Sequence, residues 1–182
     1  VDISGSMSEE IAGVKDGSIR VADVMKIRSR DLRLGLGTFS EEVFAVNGKR
    51  PRNSNALTAD ERQCQRWVEA IELEQGSEED HFMALDLASQ LPLREDSQRI
   101  LVLVSDEGPT LRRRFRSPEA IAAVLNERDC NVYSVVPDDA AMRKRSKLVG
   151  GTLFAMTNRT RFAGIMELIS QKTSKQYRLV YR

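Results

Sequence analysis

The chain has 182 residues, of which 30% are charged, and a formal net charge of +1. That length fits one domain with a full sheet and flanking helices, and two domains would be cramped. The nearly cancelling charge supplies no global field for nucleic acid or a membrane surface, and no apolar run approaches the roughly 20 residues of a membrane span. Two cysteines, Cys64 and Cys130, are too few for a disulfide scaffold. They read as buried thiols acting as small hydrophobes, with an inter-element disulfide as the minority alternative. The basic runs Arg112-Arg113-Arg114-Phe115-Arg116 and Arg143-Lys144-Arg145 read as solvated faces or loop edges.

In chain order, Asp2, Ser4 and Ser6 share one short turn, which Gly5 lets fold tightly. Ile11, Val14, Val21 and Met25 predict a helix over residues 8–28, with Ser8 as cap and Glu9 and Glu10 in the first turn. Alternation of Leu32, Leu34 and Leu36 through Phe39 predicts a strand, and Val43 to Val46 a second. Residues 47–55 read as an exposed loop. Thr58 and Glu61 have capping-box spacing before a helix that buries Cys64, Trp67, Val68 and Ile71.

A third helix is predicted from Glu78 to Pro92, with Ala84, Leu87, Ala88 and Leu91 inward. The run Ile100-Leu101-Val102-Leu103-Val104 reads as a strand buried on both faces, ending at Ser105-Asp106-Glu107-Gly108. Ser117 and Pro118 open a helix that turns Ile121, Val124 and Leu125 inward, and Val132 to Val136 form the next strand. Residues 139–149 are predicted helical, 153–156 a short strand, Phe162 to Ile169 a helix face, and 177–181 a last extended run. Strand and helix in alternation predict a doubly wound, mostly parallel α/β sheet flanked by helices. Such sheets bind ligands beyond the carboxyl ends of their strands, and Asp2 and Asp106 would converge there.

The chemistry lies in Asp-Ile-Ser-Gly-Ser-Met at residues 2–7, a carboxylate and two neutral hydroxyls without thiol or imidazole. That donor set suits Mg²⁺ or Mn²⁺ over zinc, with Ca²⁺ as a further candidate. The motif resembles that of the von Willebrand factor type A domain and its metal-ion-dependent adhesion site. The resemblance runs over essentially the whole chain and implies that Asp106, after its buried strand, is a third site residue. The family's second loop usually supplies a threonine, and counting back from Ala84-Leu85 lands on Glu79. Glu78 and Asp80 are neighbouring alternatives. The resemblance thus implies a metal set of Asp2, Ser4, Ser6, Glu79 and Asp106. Ser4, Ser6 and residue 79 would touch the cation, while Asp2 and Asp106 would act through water and by fixing the hydroxyls. An acidic residue at 79 would add negative charge and weaken attraction for a partner's carboxylate.

The function implied is a cation-dependent protein-binding or adhesion module whose ligand offers an Asp or Glu carboxylate. An intracellular adaptor working with an AAA+ ATPase is the alternative, and a metal-dependent hydrolase has the thinnest support. No catalysis is expected, because Ser-His-Asp order, a phosphate loop and zinc-ligand spacing are lacking. The single histidine, His81, reads as a surface or capping residue. An extracellular or cell-surface setting is favoured over a cytoplasmic one. Only Val1 precedes the turn where this architecture places an apolar strand, so the expectation is a domain cropped from a longer multidomain protein, with its first strand truncated.

Overall fold

The computed structural model describes residues 1–28, 31–40, 43–45, 57–74, 80–94, 97–109, 115, 117–156 and 162–174. An antiparallel pair joins β1 (Gly37–Phe39) to β2 (Val43–Ala45), and a parallel ladder runs β3 (Arg99–Val104), β4 (Cys130–Val136), β5 (Thr152–Ala155). Residues 1–3 tie the two together. On one side Ile3 N donates to Phe39 O at 2.9 Å and Phe39 N to Val1 O at 3.0 Å; on the other Asp2 N donates to Val104 O at 2.8 Å. The extended segments therefore lie in the order β2, β1, residues 1–3, β3, β4, β5. Chain order reverses about residues 1–3, the switch point at which a doubly wound sheet opens its ligand crevice. The place expected for a strand leading into Asp2 is held by residues 1–3, paired on both sides.

Helices cover both faces because the central strands are apolar on both. Leu101 and Leu103 of β3 and Val132 and Val136 of β4 pack with Phe82 and Leu85 of α3 (His81–Ser89), Ile121 and Leu125 of α4 (Pro118–Glu127) and Met142 of α5 (Ala140–Leu148). Val104 and Val135 point the other way, onto Met7, Val14 of α1 (Ile11–Arg28) and Phe162 of α6 (Phe162–Ser174). Successive side chains on a strand alternate faces, so a continuous apolar run serves two helix layers at once. α2 (Glu61–Glu69) packs on α1 and buries Cys64, Trp67 and Val68. Both cysteines are free and buried, and burial pushes each thiol's pKa up.

Several local expectations are corrected. Ser8 lies in a 3₁₀ turn (Gly5–Ser8), and α1 begins three residues later at Ile11. Only Gly37–Phe39 of the predicted first strand is laddered; Leu34 instead forms an isolated bridge with Thr58. The cap of α2 is Asp60, whose carboxylate accepts from Arg62 N at 3.0 Å, while Thr58 Oγ1 accepts from Asp60 N. α3 starts at His81, capped by Asp80, and its core face carries Phe82, Ala84 and Leu85 with Leu87 and Ala88 half-buried. Val46, the 47–55 loop, the start of the third helix at Glu78 and the 177–181 strand lie outside the described residues.

Two charged or polar groups read as surface are interior. Arg145 is fully buried, its Nη2 donating to Ser134 Oγ of β4 and, at 3.3 Å, to Ser146 Oγ. Its Nε and Nη1 have no hydrogen-bond partner among the described residues, and burial lowers its pKa to about 10. His81 is also fully buried, edge-on to Phe39 with ring centroids 5.4 Å apart. Arg143 and Lys144 stay at the surface, paired with Asp138 and Glu119.

The α5–β5 connection passes through two glycines with different constraints. Gly150 has φ 63° and open space around it, whereas a Cβ on Gly151 would lie 2.2 Å from Val132 O of β4. Gly151→Ala must move main chain and is expected to destabilise by about 2 kcal/mol, the usual cost of overpacking a filled interior. Gly150→Ala meets only the left-handed backbone penalty of about 1 kcal/mol. Urea midpoints of the two variants check the order; equal values would mean that β5 slides freely.

Candidate functional site

The site is built where residues 1–3 end between β1 and β3. Asp2 is fully buried, and both of its carboxylate oxygens are engaged. Oδ1 accepts from Ser4 N at 2.9 Å, which bends the chain out of the sheet; Oδ2 accepts from Ser105 Oγ at 2.5 Å, which fastens that bend to the end of β3. The Gly5–Ser8 turn follows directly, closed by Met7 N donating to Ser4 O at 3.1 Å and anchored by the fully buried Met7 side chain. An apolar plug thus sets the height of the serine loop above the sheet.

Ser4 is buried, and Ser6 faces solvent. Their hydroxyl oxygens lie 2.9 Å apart, and Ser6 Oγ donates to Asp106 Oδ1 at 3.0 Å. A hydroxyl carries one proton. With that of Ser6 directed at Asp106, Ser4 is the donor in the serine pair. Asp106 is half-buried, and its carboxyl is held above the ordinary aspartate range, first by burial and then by the charges of Asp2 and Glu107; the Ser6 hydrogen bond pulls the other way.

The predicted residues Asp2, Ser4, Ser6 and Asp106 therefore meet on one rim. Glu79 and Glu78 lie outside the described residues. Asp80 has a structural task, its Oδ1 accepting from Met83 N at 2.9 Å at the start of α3. Three rim residues were not singled out from the sequence. Ser105 holds Asp2, and its position between an apolar strand and Asp106 was the available signal. Ser40 Oγ donates to Glu74 Oε2 at 3.2 Å, and Glu74 N donates to Ile3 O at 2.7 Å, so the Glu74 main chain continues the rim beside Ser4.

Among the described residues no three His, Cys, Asp or Glu side chains converge as a metal-holding group. The assembled donors are two hydroxyls flanked by two carboxylates, all hard oxygens, and they fit a Mg²⁺-like or Ca²⁺-like ion better than a soft one. His81 lies edge-on to Phe39, the β1 residue bridged to Asp2. Burial first, then the positive charge of Arg145, lowers its pKa to about 3 despite the opposing charge of Asp139.

Comparison with known proteins bears on the fold. A search of curated proteins finds no match. Among solved structures, a von Willebrand factor type A protein from Catenulispora acidiphila superposes with a TM-score of 0.74 at 14% identity, covering 95% of this chain and 41% of that one. Proximal thread matrix protein 1 from the mussel byssus gives 0.71 at 14% identity, covering 95% and 45%. A second structure of that byssus protein, with zinc in its MIDAS motif, gives 0.71 at 13% identity, covering 95% and 44%. The chain spans less than half the length of these chains. The von Willebrand factor type A domain profile matches residues 1–170. With that match over nearly all of its length, and with a doubly wound sheet that carries its Asp-Ser-Ser turn at the switch point, the chain belongs to the von Willebrand factor type A domain family.

Proposed function

We propose that the rim is a metal-ion-dependent adhesion site and that the domain is a cation-dependent protein-binding module. The observation that carries this is the hydrogen-bonded line Ser4–Ser6–Asp106, in which residues 100 positions apart present their oxygens to one point at the sheet's switch point. Domains of this family commonly mediate protein interactions. Ser4 and Ser6 would hold Mg²⁺ or Mn²⁺ directly, with Asp2 and Asp106 orienting the hydroxyls and acting through water; Glu79 remains a proposed ligand. The ion supplies a positive centre that accepts an Asp or Glu carboxylate from the partner. Asp2 keeps the loop bent through Ser4 N and Ser105, and Ser6 stays solvent-facing, where a partner can reach it. Binding is the reading favoured over catalysis, since the one histidine is fully buried and offers no exposed base at the rim. No helix among the described residues is long and apolar enough to cross a membrane. An extracellular or cell-surface setting accords with the adhesion reading.

Ser6→Ala tests the site at little risk to the fold. Ser6 is exposed, so stability is expected to stay within about 0.5 kcal/mol of the parent. Mn²⁺ affinity by titration calorimetry is expected to fall about tenfold or more, as one direct ligand and the orientation of Asp106 are lost together. Unchanged affinity in Ser6→Ala, or no uptake by the parent at millimolar Mn²⁺, overturns the site. Capture of acidic protein ligands with and without chelator tests the partner class.

A further inference from the structure

Besides Asp106, the described structure runs the main chain of one more acid, Glu74, beside the serine turn, and its position depends on contacts along the rim. Its amide donates to Ile3 O at 2.7 Å, and Ser4 and Glu74 form a parallel bridge. Its carbonyl oxygen lies 4.0 Å from where a Cβ on Gly5 would sit, so the main chain of residue 74 runs flush against the turn. Its carboxylate is held at the carboxyl end of β1 by the buried Ser40, whose Oγ donates to Oε2 at 3.2 Å. β1 is the immediate neighbour of the segment that delivers Asp2. A long exposed glutamate would ordinarily sample many rotamers, and a hydrogen bond from a buried serine restricts this one to the rim.

We infer that Glu74, positioned by Ser40, is an acidic tuning residue of the cation site: it tightens cation binding and lowers the site's appetite for an incoming carboxylate. This rests on the cation-site reading above. Asp2 and Asp106 already match the charge of a divalent ion. The Glu74 carboxylate, held on the rim by Ser40, adds negative charge beside the site, which favours retention of the ion and opposes a partner's acid. Glu74 would thus add to the charge role that the sequence reading gives to residue 79.

The test titrates Mn²⁺ into the parent, Glu74→Gln, Ser40→Ala and, as a charge control, Glu72→Gln, with free Mn²⁺ read by electron paramagnetic resonance and folding by metal-free thermal melts. Glu72 is equally exposed and two residues away. Glu74→Gln is expected to weaken Mn²⁺ binding about tenfold and Ser40→Ala about threefold, with Glu72→Gln unchanged. Metal-free melting of Glu74→Gln should match the parent, because Glu74 is exposed. If the parent binds Mn²⁺ and Glu74→Gln binds as tightly as Glu72→Gln, the tuning role is overturned while the site stands. If the parent takes up no Mn²⁺, site and tuning role fall together.

Discussion

Asp2→Ala is expected to destabilise the domain by about 4 kcal/mol and to abolish cation binding, the largest effect of any single substitution at the rim. The carboxylate is fully buried, and its two hydrogen bonds, to Ser4 N at 2.9 Å and Ser105 Oγ at 2.5 Å, are both made to a charged acceptor. Bonds of that kind contribute about 1.5–3 kcal/mol each, and truncation leaves a buried amide and a buried hydroxyl without a partner. For a domain of this size each kcal/mol moves the melting temperature by about 2–4 °C, so a fall of about 10 °C or more is expected. Asp2→Asn separates fold from charge. Its amide group can still accept from Ser4 and meet Ser105, so melting should fall by less than half as much, while cation uptake is still lost. Melting of Asp2→Ala equal to the parent would show that residues 1–3 do not hold the rim.

Acidification from pH 7 to 4 is expected to remove about 3 kcal/mol of stability through His81 alone. The folded chain keeps this imidazole neutral down to about 3, whereas an unfolded histidine takes up its proton near 6.5. Between those values the unfolded state binds the extra proton. Stability is therefore complete above 6.5 and is lost as pH falls toward 3, at up to about 1.4 kcal/mol per pH unit. The cause is burial against Phe39, with Arg145 adding positive charge and Asp139 opposing it. Asp106 acts in the opposite sense. Its raised pKa means that the folded state holds its proton longer, so its contribution is present at low pH and lost as pH rises through the folded value. Urea denaturation at pH 7, 6, 5 and 4 for the parent and His81→Leu isolates the histidine. The variant gives up no hydrogen bond, since among the described residues neither ring nitrogen has a partner, and its stability should depend less on pH across the whole interval. Parallel curves would refute the assignment.

The legible parts of this domain were those in which neighbours in sequence share a task. Five apolar residues from Ile100 to Val104 meet helices on both sides, and periodicity alone carries that information. Asp2, Ser4 and Ser6 belong to one bend, so their spacing declared their oxygens before any fold was known. Arg145 shows how a local cue misleads. The run Arg143-Lys144-Arg145 looks solvated, yet Met142, Arg145, Ser146 and Val149 lie at i, i+3, i+4 and i+7, the inward stripe of α5. The same stripe logic applies to His81, which leads the buried face of Phe82 and Leu85. Composition marked both as surface groups, whereas helical phase placed them inside.

By itself the sequence determined the alternation of strand and helix and the oxygen-rich turn, because hydrophobic period and residue spacing are properties of short stretches of chain. Tertiary structure decided which remote groups complete the site. Ser105 meets Asp2 across 103 positions and Ser6 meets Asp106 across 100, while Ser40 reaches Glu74 across 34. The reversal of strand order about residues 1–3 brings those segments to a single rim, and no local pattern encodes which strands become neighbours there.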